Sequence, residues 1–130
     1  RFLERLPNKH VLPILKKTDI YVSLNRAGNI SNANLEAISA SCCMIIPKSQ
    51  KKNGIDLHTD KILSEDTVFR INSSDDVNGL TRLTLDLISN KDKIIMKRNS
   101  MKKLKKSFKN WRQRVELEVN ILSKLLQKNY

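Results

Sequence analysis

The stretch DIYVSLNRAGNISNANLEAISASCCMIIP, residues 19–47, decides the fold. It holds two compact apolar runs, IYVSL over 20–24 and CMII over 43–46, which have the composition of buried strands. Two strands this apolar, separated by a helical segment, predict a parallel sheet that is covered on both faces. The fold class predicted is therefore α/β, a parallel sheet with flanking helices.

The segment between the two runs predicts a loop and then a helix. Residues 25–32 (NRAGNISN) are rich in loop formers, and Asn32 is a suitable N-cap for a helix over 33–41. Glu36 is expected in the first turn of that helix. In a βαβ unit, ligands bind at the loop that leaves the carboxyl end of the first strand, so this loop is the first candidate for a functional site.

Further elements follow from the same kind of pattern. The sequence predicts a helix over 9–17, a solvated loop over 47–60, an edge strand over 67–71 and a helix over 75–89. The last forty residues are predicted to be helical, with an apolar stripe at three-four spacing. The members of the stripe are Met101, Leu104, Phe108, Trp111, Val115, Leu122 and Leu125. We expect it to bury against the sheet domain or to cross toward a further, N-terminal domain.

Charge divides the chain into two regions. The chain has 130 residues and a net charge of +12, but residues 1–90 carry 12 basic and 10 acidic groups, whereas residues 91–130 carry 13 and 3. This gives a nearly neutral body over 1–90 and a basic helical region over 91–130. Lys102, Lys103, Lys105, Lys106 and Lys109 are expected to be solvated and to attract an anionic membrane surface. Nucleic acid is disfavoured as a partner, because aromatic residues are few (5%) and no recognised binding motif occurs.

Several kinds of site find no support in the sequence. Adjacent Cys42 and Cys43 are expected to be reduced, buried thiols, because neighbouring residues of an extended segment point to opposite faces. His10 and His58 stand far from them, at no ligand spacing, so no metal site is predicted. No apolar run reaches the length of a membrane span, which predicts a soluble or peripheral protein. Reduced thiols are typical of the cytosol, so a cytoplasmic location is expected, in solution or at the membrane surface. No Gly-x-Gly-x-x-Gly motif follows a strand, which argues against dinucleotide binding.

Five segments in order resemble one protein family. They are KHVLPILKKTDIYVSL (9–24), NANLEAISAS (32–41), CMIIP (43–47), TVFRINSSDDVNGLTRLTLDLISN (67–90) and KKSFKNWRQRVELEVNIL (105–122). Together they resemble the C-terminal nucleotide-sugar-binding domain of two-domain (GT-B type) retaining glycosyltransferases, which carry a Glu-x7-Glu motif. The resemblance implies that residues 1–90 form a partial Rossmann-like donor-binding domain, the C-terminal half of such a domain, and that the basic region over 91–130 packs on it. The family's N-terminal domain would be missing from this chain.

The resemblance implies a donor-binding site without a resident cofactor or metal. Its residues are Glu36, Leu35, Gly28, Asn29, Ile30, Ser31 and Asn32. Glu36 matches the second motif glutamate, which holds the ribose hydroxyls of the donor, and a carboxylate can accept from two vicinal hydroxyls at once. A glutamate near a helix N-terminus also stabilises the helix dipole, which is the explanation that the residues alone would favour.

The first motif glutamate is replaced by Gly28, so the catalytic residues stay unknown. The implied function is transfer of a sugar from a nucleotide-diphosphate donor to a glycan or lipid-linked acceptor, and the chain alone is expected to be inactive. The alternatives are a non-catalytic glycosyltransferase homologue, a basic module that binds anionic membrane or nucleic acid, and an unrelated Rossmann-like phosphate binder.

Overall fold

The βαβ unit predicted from residues 19–47 is present. The structure is a computed structural model that describes residues 6–24, 30–49 and 57–127. Strand β1 (Ile20–Val22) leads to helix α2 (Asn32–Ala40), which leads to strand β2 (Cys43–Pro47). The two strands are parallel, with Tyr21 opposite Met44.

The remaining elements complete a three-stranded sheet with flanking helices. Helix α1 (Asn8–Lys17) precedes β1, and α3 (Leu57–Ile62) precedes β3 (Phe69–Ile71). Three helices follow the sheet: α4 (Val77–Ser89), α5 (Lys91–Ser107) and α6 (Trp111–Gln127). The strand order is β1-β2-β3, and β2 pairs with β3 in parallel, with Ile46 opposite Arg70. This mixed α/β architecture is compatible with a fragment of a Rossmann-like fold.

Strand β2 forms the centre of the core because both of its faces are covered. Met44 and Ile46 pack on one face with Ala37 and Ile38 of α2, in a cluster that includes Met101 of α5. On the opposite face, Cys43 and Ile45 pack with Ile71 of β3, Leu87 of α4 and Ile94 of α5. The continuous apolar run of β2 is thus explained by burial on both sides, as the sequence predicted.

Cys42 and Cys43 lie in different clusters. Both are free thiols and neither is exposed to solvent. The Cys42 thiol donates to the Leu15 carbonyl oxygen of α1 at 3.2 Å. The prediction of buried, unpaired cysteines is confirmed.

Several boundaries differ from the prediction. Strand β1 ends at Val22 and not at residue 24, and the third strand begins at Phe69 because Thr67 and Val68 lie in the preceding turn. The turn is closed by the Thr67 hydroxyl, which donates to the Ser64 carbonyl oxygen at 2.8 Å. The segment predicted as a loop over 47–60 contains the start of α3.

Helix α5 crosses the sheet at the amino ends of its strands. Ile94, near its start, and Met101, two turns further along, belong to the two opposite core clusters. Arg98 donates to the carbonyl oxygen of Thr18, just before β1, at 3.3 Å. Lys105 donates to the carbonyl oxygen of Ser39, near the end of α2, at 2.6 Å. The Lys97 ammonium bonds the Glu65 carbonyl oxygen, before β3.

The predicted burial of the apolar stripe against the sheet domain is wrong beyond Leu104. Met101 is fully buried and Leu104 packs against the core, but Phe108 is exposed, and all described side chains over 112–127 are exposed. The stripe assumes one helix, whereas α5 ends at Ser107 and Phe108 takes an extended conformation (φ −74°, ψ 129°). The residues after it therefore do not continue the buried face.

Candidate functional site

The candidate site lies where the parallel strands end. The carboxyl ends of β1, β2 and β3 meet at one edge of the sheet, as parallel pairing requires. Pairing continues past the ends of the strands, because the Ser23 amide donates to the Ile45 carbonyl oxygen at 3.0 Å and the Lys48 amide donates to that of Ile71 at 2.8 Å. The segments that follow these residues border the carboxyl edge of the sheet.

Helix α2 opens at this edge with Ser31 as its N-cap, where Asn32 had been predicted. The Ser31 hydroxyl oxygen accepts from the Asn34 amide at 3.2 Å, and the Ser31 carbonyl oxygen accepts the first helical bond, from Leu35, at 3.0 Å. The amides of Asn32 and Ala33 precede that first bond and have no acceptor within the helix. With the helix dipole, they give this end of α2 a positive potential that favours anions.

A polar contact between β1 and α2 positions the helix. The Tyr21 hydroxyl donates to the side-chain oxygen of Asn34 at 3.4 Å, and Asn34 is only 4% exposed. Burial raises the pKa of Tyr21, and the nearby charge of Glu36 adds a smaller contribution in the same direction. The phenol therefore remains a neutral donor at physiological pH, and it holds α2 against the end of the first strand.

Glu36 is half-buried and lies in the second turn of α2. The sequence placed it in the first turn, but the helix begins at Asn32, so Glu36 is its fifth residue, and the first turn contains no acidic residue. Because the helix-dipole effect falls off within the first turn, dipole stabilisation is a weaker explanation of this glutamate than the sequence suggested.

The predicted donor-binding residues are distributed as follows. Ile30 and Ser31 are half-buried, whereas Asn32 and Leu35 are exposed on α2. Gly28 and Asn29 lie outside the described residues. The structure thus places Ser31, Asn32 and Glu36 on the first two turns of α2, next to the carboxyl edge.

Two features of the edge were not predicted. Lys48 is exposed directly after β2, the strand beside β1. Its position after an apolar run could have indicated a residue at the carboxyl edge of the sheet. Asp76 is the N-cap of α4, and its carboxylate also accepts from the amide of Asn72, the first residue after β3, at 3.1 Å. The sequence predicts the helix that Asp76 caps, with its start at residue 75, but it does not predict the bond from this carboxylate to the residue after β3.

The described part of the chain has neither a cluster of metal ligands nor a membrane-spanning helix. Within residues 6–24, 30–49 and 57–127, no group of three or more His, Cys, Asp or Glu side chains could hold a metal ion. In the same ranges, no helix is both long and apolar enough to cross a membrane.

Comparison of the chain with protein families, with curated proteins and with solved structures gave no match.

Proposed function

We propose that the carboxyl edge of the sheet binds a nucleotide-diphosphate sugar, as part of a glycosyltransferase. The observation that carries the proposal is the parallel β1-α2-β2 unit, in which α2 begins at the carboxyl edge and presents its N-terminus there. Open parallel sheets bind ligands at this edge. The ordered resemblance of five sequence segments to the family's donor-binding domain supplies the donor class.

Each part of the edge has a role in this proposal. The first amides of α2 face the diphosphate, and the exposed Lys48 ammonium balances its charge. Glu36 accepts from the two ribose hydroxyls. The Tyr21 and Asn34 pair holds α2 in place and does not contact the donor. The proposal covers donor binding and acceptor transfer by the full-length protein, with the catalytic residues unassigned.

Isothermal titration calorimetry of the full-length protein against a panel of nucleotide sugars tests donor binding. Glu36→Gln keeps the size of the side chain and removes its charge, so it is expected to weaken binding by about 1.5–3 kcal/mol, the range for hydrogen bonds to a charged group. The matched control is Asp66→Asn, an exposed carboxylate before β3 at the opposite end of the sheet.

The two variants separate ribose binding from general charge effects. We expect Asp66→Asn to bind the donor as the parent protein does. Equal affinity of the parent and Glu36→Gln, with unchanged melting temperatures, would exclude the ribose role. The absence of binding to every nucleotide sugar would remove the donor proposal and leave the non-catalytic homologue.

A second candidate function, attachment to an anionic membrane surface, is favoured by the exposed lysines of α5. Lys102, Lys103 and Lys106 on α5, and Lys109 after it, are exposed. Lys105 is exposed as well, although its ammonium donates to the Ser39 carbonyl oxygen. Each solvated lysine near an anionic surface contributes about 1 kcal/mol of attraction, which decreases with salt.

Vesicle co-sedimentation of the full-length protein tests this second candidate. Binding to anionic vesicles should vanish when the five lysines are changed to glutamine and persist when five other exposed lysines are changed, namely Lys9, Lys16, Lys17, Lys61 and Lys124. Equal binding to neutral vesicles would exclude an electrostatic patch.

A further inference from the structure

A second concave site lies at the amino end of β1, far from the carboxyl edge. It is a cleft of about 580 Å³ between the start of β1 and one side of α5, and the end of α4 closes it. This volume is within the range of small-molecule sites, about 300–1,000 Å³. The donor proposal uses none of its residues.

The floor and walls of the cleft are apolar. Ile94 is buried in the core and Ile20 packs against the same cluster, so these two side chains form a fixed floor. Ile88 of α4 and Ile95 of α5 stand beside it with 60% and 55% of their surface exposed. Exposed isoleucines at the mouth of a cleft favour a ligand with an apolar part.

One face of α5 adds a row of cations to this apolar surface. Lys91, Arg98 and Lys102 all line the cleft, and their spacing of seven and four residues places them along about 16 Å of the helix. Asp19 is the single acidic residue among the residues that line the cleft. The cleft therefore has a net positive charge and favours an anionic group.

These cations differ in how they are held. Arg98 is fixed by bonds from its guanidinium to the Thr18 and Lys16 carbonyl oxygens, at 3.3 and 3.4 Å. Lys91 and Lys102 form no ion pair with any residue in the described ranges, whereas the neighbouring Lys93 is paired with Asp86 at 2.7 Å. Two ammonium groups at the cleft are thus available to a ligand.

We propose that this cleft binds an amphiphilic anion, a single alkyl chain that carries a phosphate or carboxylate head group. The chain lies on Ile20, Ile88 and Ile95, and the head group contacts Lys91 or Lys102. An anion without an alkyl chain would leave the isoleucines exposed, and a neutral alkyl compound would leave the cations without a partner. The chemistry of the cleft therefore requires both parts of the ligand.

Calorimetry of the full-length protein with three probes tests the requirement for both parts. The probes are decyl phosphate below its micelle concentration, decanol and inorganic phosphate. We expect saturable binding of decyl phosphate at one site, binding of decanol at least tenfold weaker, and no binding of inorganic phosphate at the same concentration. Absent or unsaturable binding of decyl phosphate, or equal binding of either simpler probe, overturns the proposal.

Matched variants assign the binding to this cleft. The pair Lys91→Gln and Lys102→Gln, and separately Ile95→Asn, should each weaken decyl phosphate binding at least tenfold. The controls are the pair Lys103→Gln and Lys106→Gln, and Met96→Asn, which change exposed residues of the same helix outside the cleft. If the controls weaken binding as much as the cleft variants, the cleft is not the site. Ile88→Asn replaces Ile95→Asn if the latter lowers the melting temperature.

Discussion

Asp76 joins the end of the sheet to the start of α4 through a single carboxylate. One of its oxygens accepts from the Gly79 amide at 2.8 Å, and the other accepts from the Asn72 amide at 3.1 Å. These bonds, the Gly79 bond above all, favour the charged form and hold the pKa of Asp76 below its ordinary value of 3.8. The stability that this cap provides is therefore expected to decrease at acidic pH.

The first prediction concerns the acid stability that Asp76 provides. Because its pKa is lowered in the folded state, its contribution is present above the ordinary pKa and is lost as pH falls through the folded value. Asp76→Asn should therefore be less stable than the parent at neutral pH and should lose less stability on acidification. Urea unfolding at a series of pH values measures this. Parallel stability curves for the two proteins would show that the carboxylate does not act through its charge.

Cys43 provides the corresponding prediction at alkaline pH. Burial raises the pKa of its thiol to about 11, from an ordinary value of 9.0, and the nearby charges of Lys97 and Arg98 only partly oppose this. As pH rises above 9, the unfolded chain loses this proton while the folded chain retains it, so stability falls. Cys43→Ala should show a smaller fall in melting temperature between pH 8.5 and about pH 11. An equal fall in both proteins would show that ionisation of the Cys43 thiol does not cause the loss of stability.

At the scale of elements, α5 satisfies backbone carbonyls at the ends of other helices. Lys16 and Thr18 are at the end of α1 and Ser39 is at the end of α2, where carbonyl oxygens lack helical partners. Cations in these positions also interact favourably with the negative ends of the helix dipoles. Part of the basic charge of α5 therefore binds carbonyl oxygens within the chain.

The next prediction is that Arg98 contributes to stability as this helix-end contact. Arg98→Gln should lower the free energy of unfolding by about 1–2 kcal/mol, because two hydrogen bonds from a charged group are lost. The donor–acceptor distances of 3.3 and 3.4 Å are long, which keeps the expected effect small. Lys103→Gln, an exposed neighbour on α5, should change it by less than about 0.5 kcal/mol. Chemical denaturation measures both. Equal effects would mean that Arg98 acts only through the net charge of the helix.

The elements show where reasoning from the sequence succeeds and where it stops. The two apolar runs predicted β1 and β2 through their composition. Burial on both faces, which the sequence predicted for both strands, holds for β2 only, because Val22 of β1 is exposed. The break between α5 and α6 contains neither glycine nor proline. The sequence therefore predicted one continuous apolar stripe across it. A local signal was present, since Asn110 and Gln113 exchange side-chain bonds with each other's amides at 2.9 and 3.0 Å, as in a capping box.

The candidate site was predictable only in part. The position of Glu36 on the helix after the first strand follows from the order of elements. The carbonyl partners of Arg98, and the cleft beside it, depend on how α5 crosses the sheet. That crossing joins residues about eighty positions apart in sequence, and no periodicity within α5 encodes it.

For the whole molecule, the basic charge divides between internal bonds and solvent. Among the described cations of the last forty residues, five have partners within the chain besides Lys105. Three form ion pairs on the surface, namely Lys93 with Asp86, Arg112 with Glu116 and Arg114 with Glu118. The other two, Lys97 and Arg98, donate to backbone carbonyl oxygens, and Lys97 also lies over the Phe69 ring. The exposed lysines of α5 are solvated, and the proposed attraction to an anionic surface rests on them.

The last prediction concerns α6, which contributes little to the stability of the rest of the molecule. Its described side chains are all exposed, and Val115, Val119, Leu122 and Leu126 form an open apolar face at four-three spacing. A chain that ends after Lys109 keeps α5 and its contacts with the sheet, so its melting temperature should stay within about 2 °C of the parent. A loss of 1 kcal/mol would lower it by about 4 °C. Calorimetry at low protein concentration makes the comparison, because an exposed apolar face promotes association at high concentration. A decrease of 4 °C or more in the truncated chain would show that α6 is packed in solution and that its apolar face is covered.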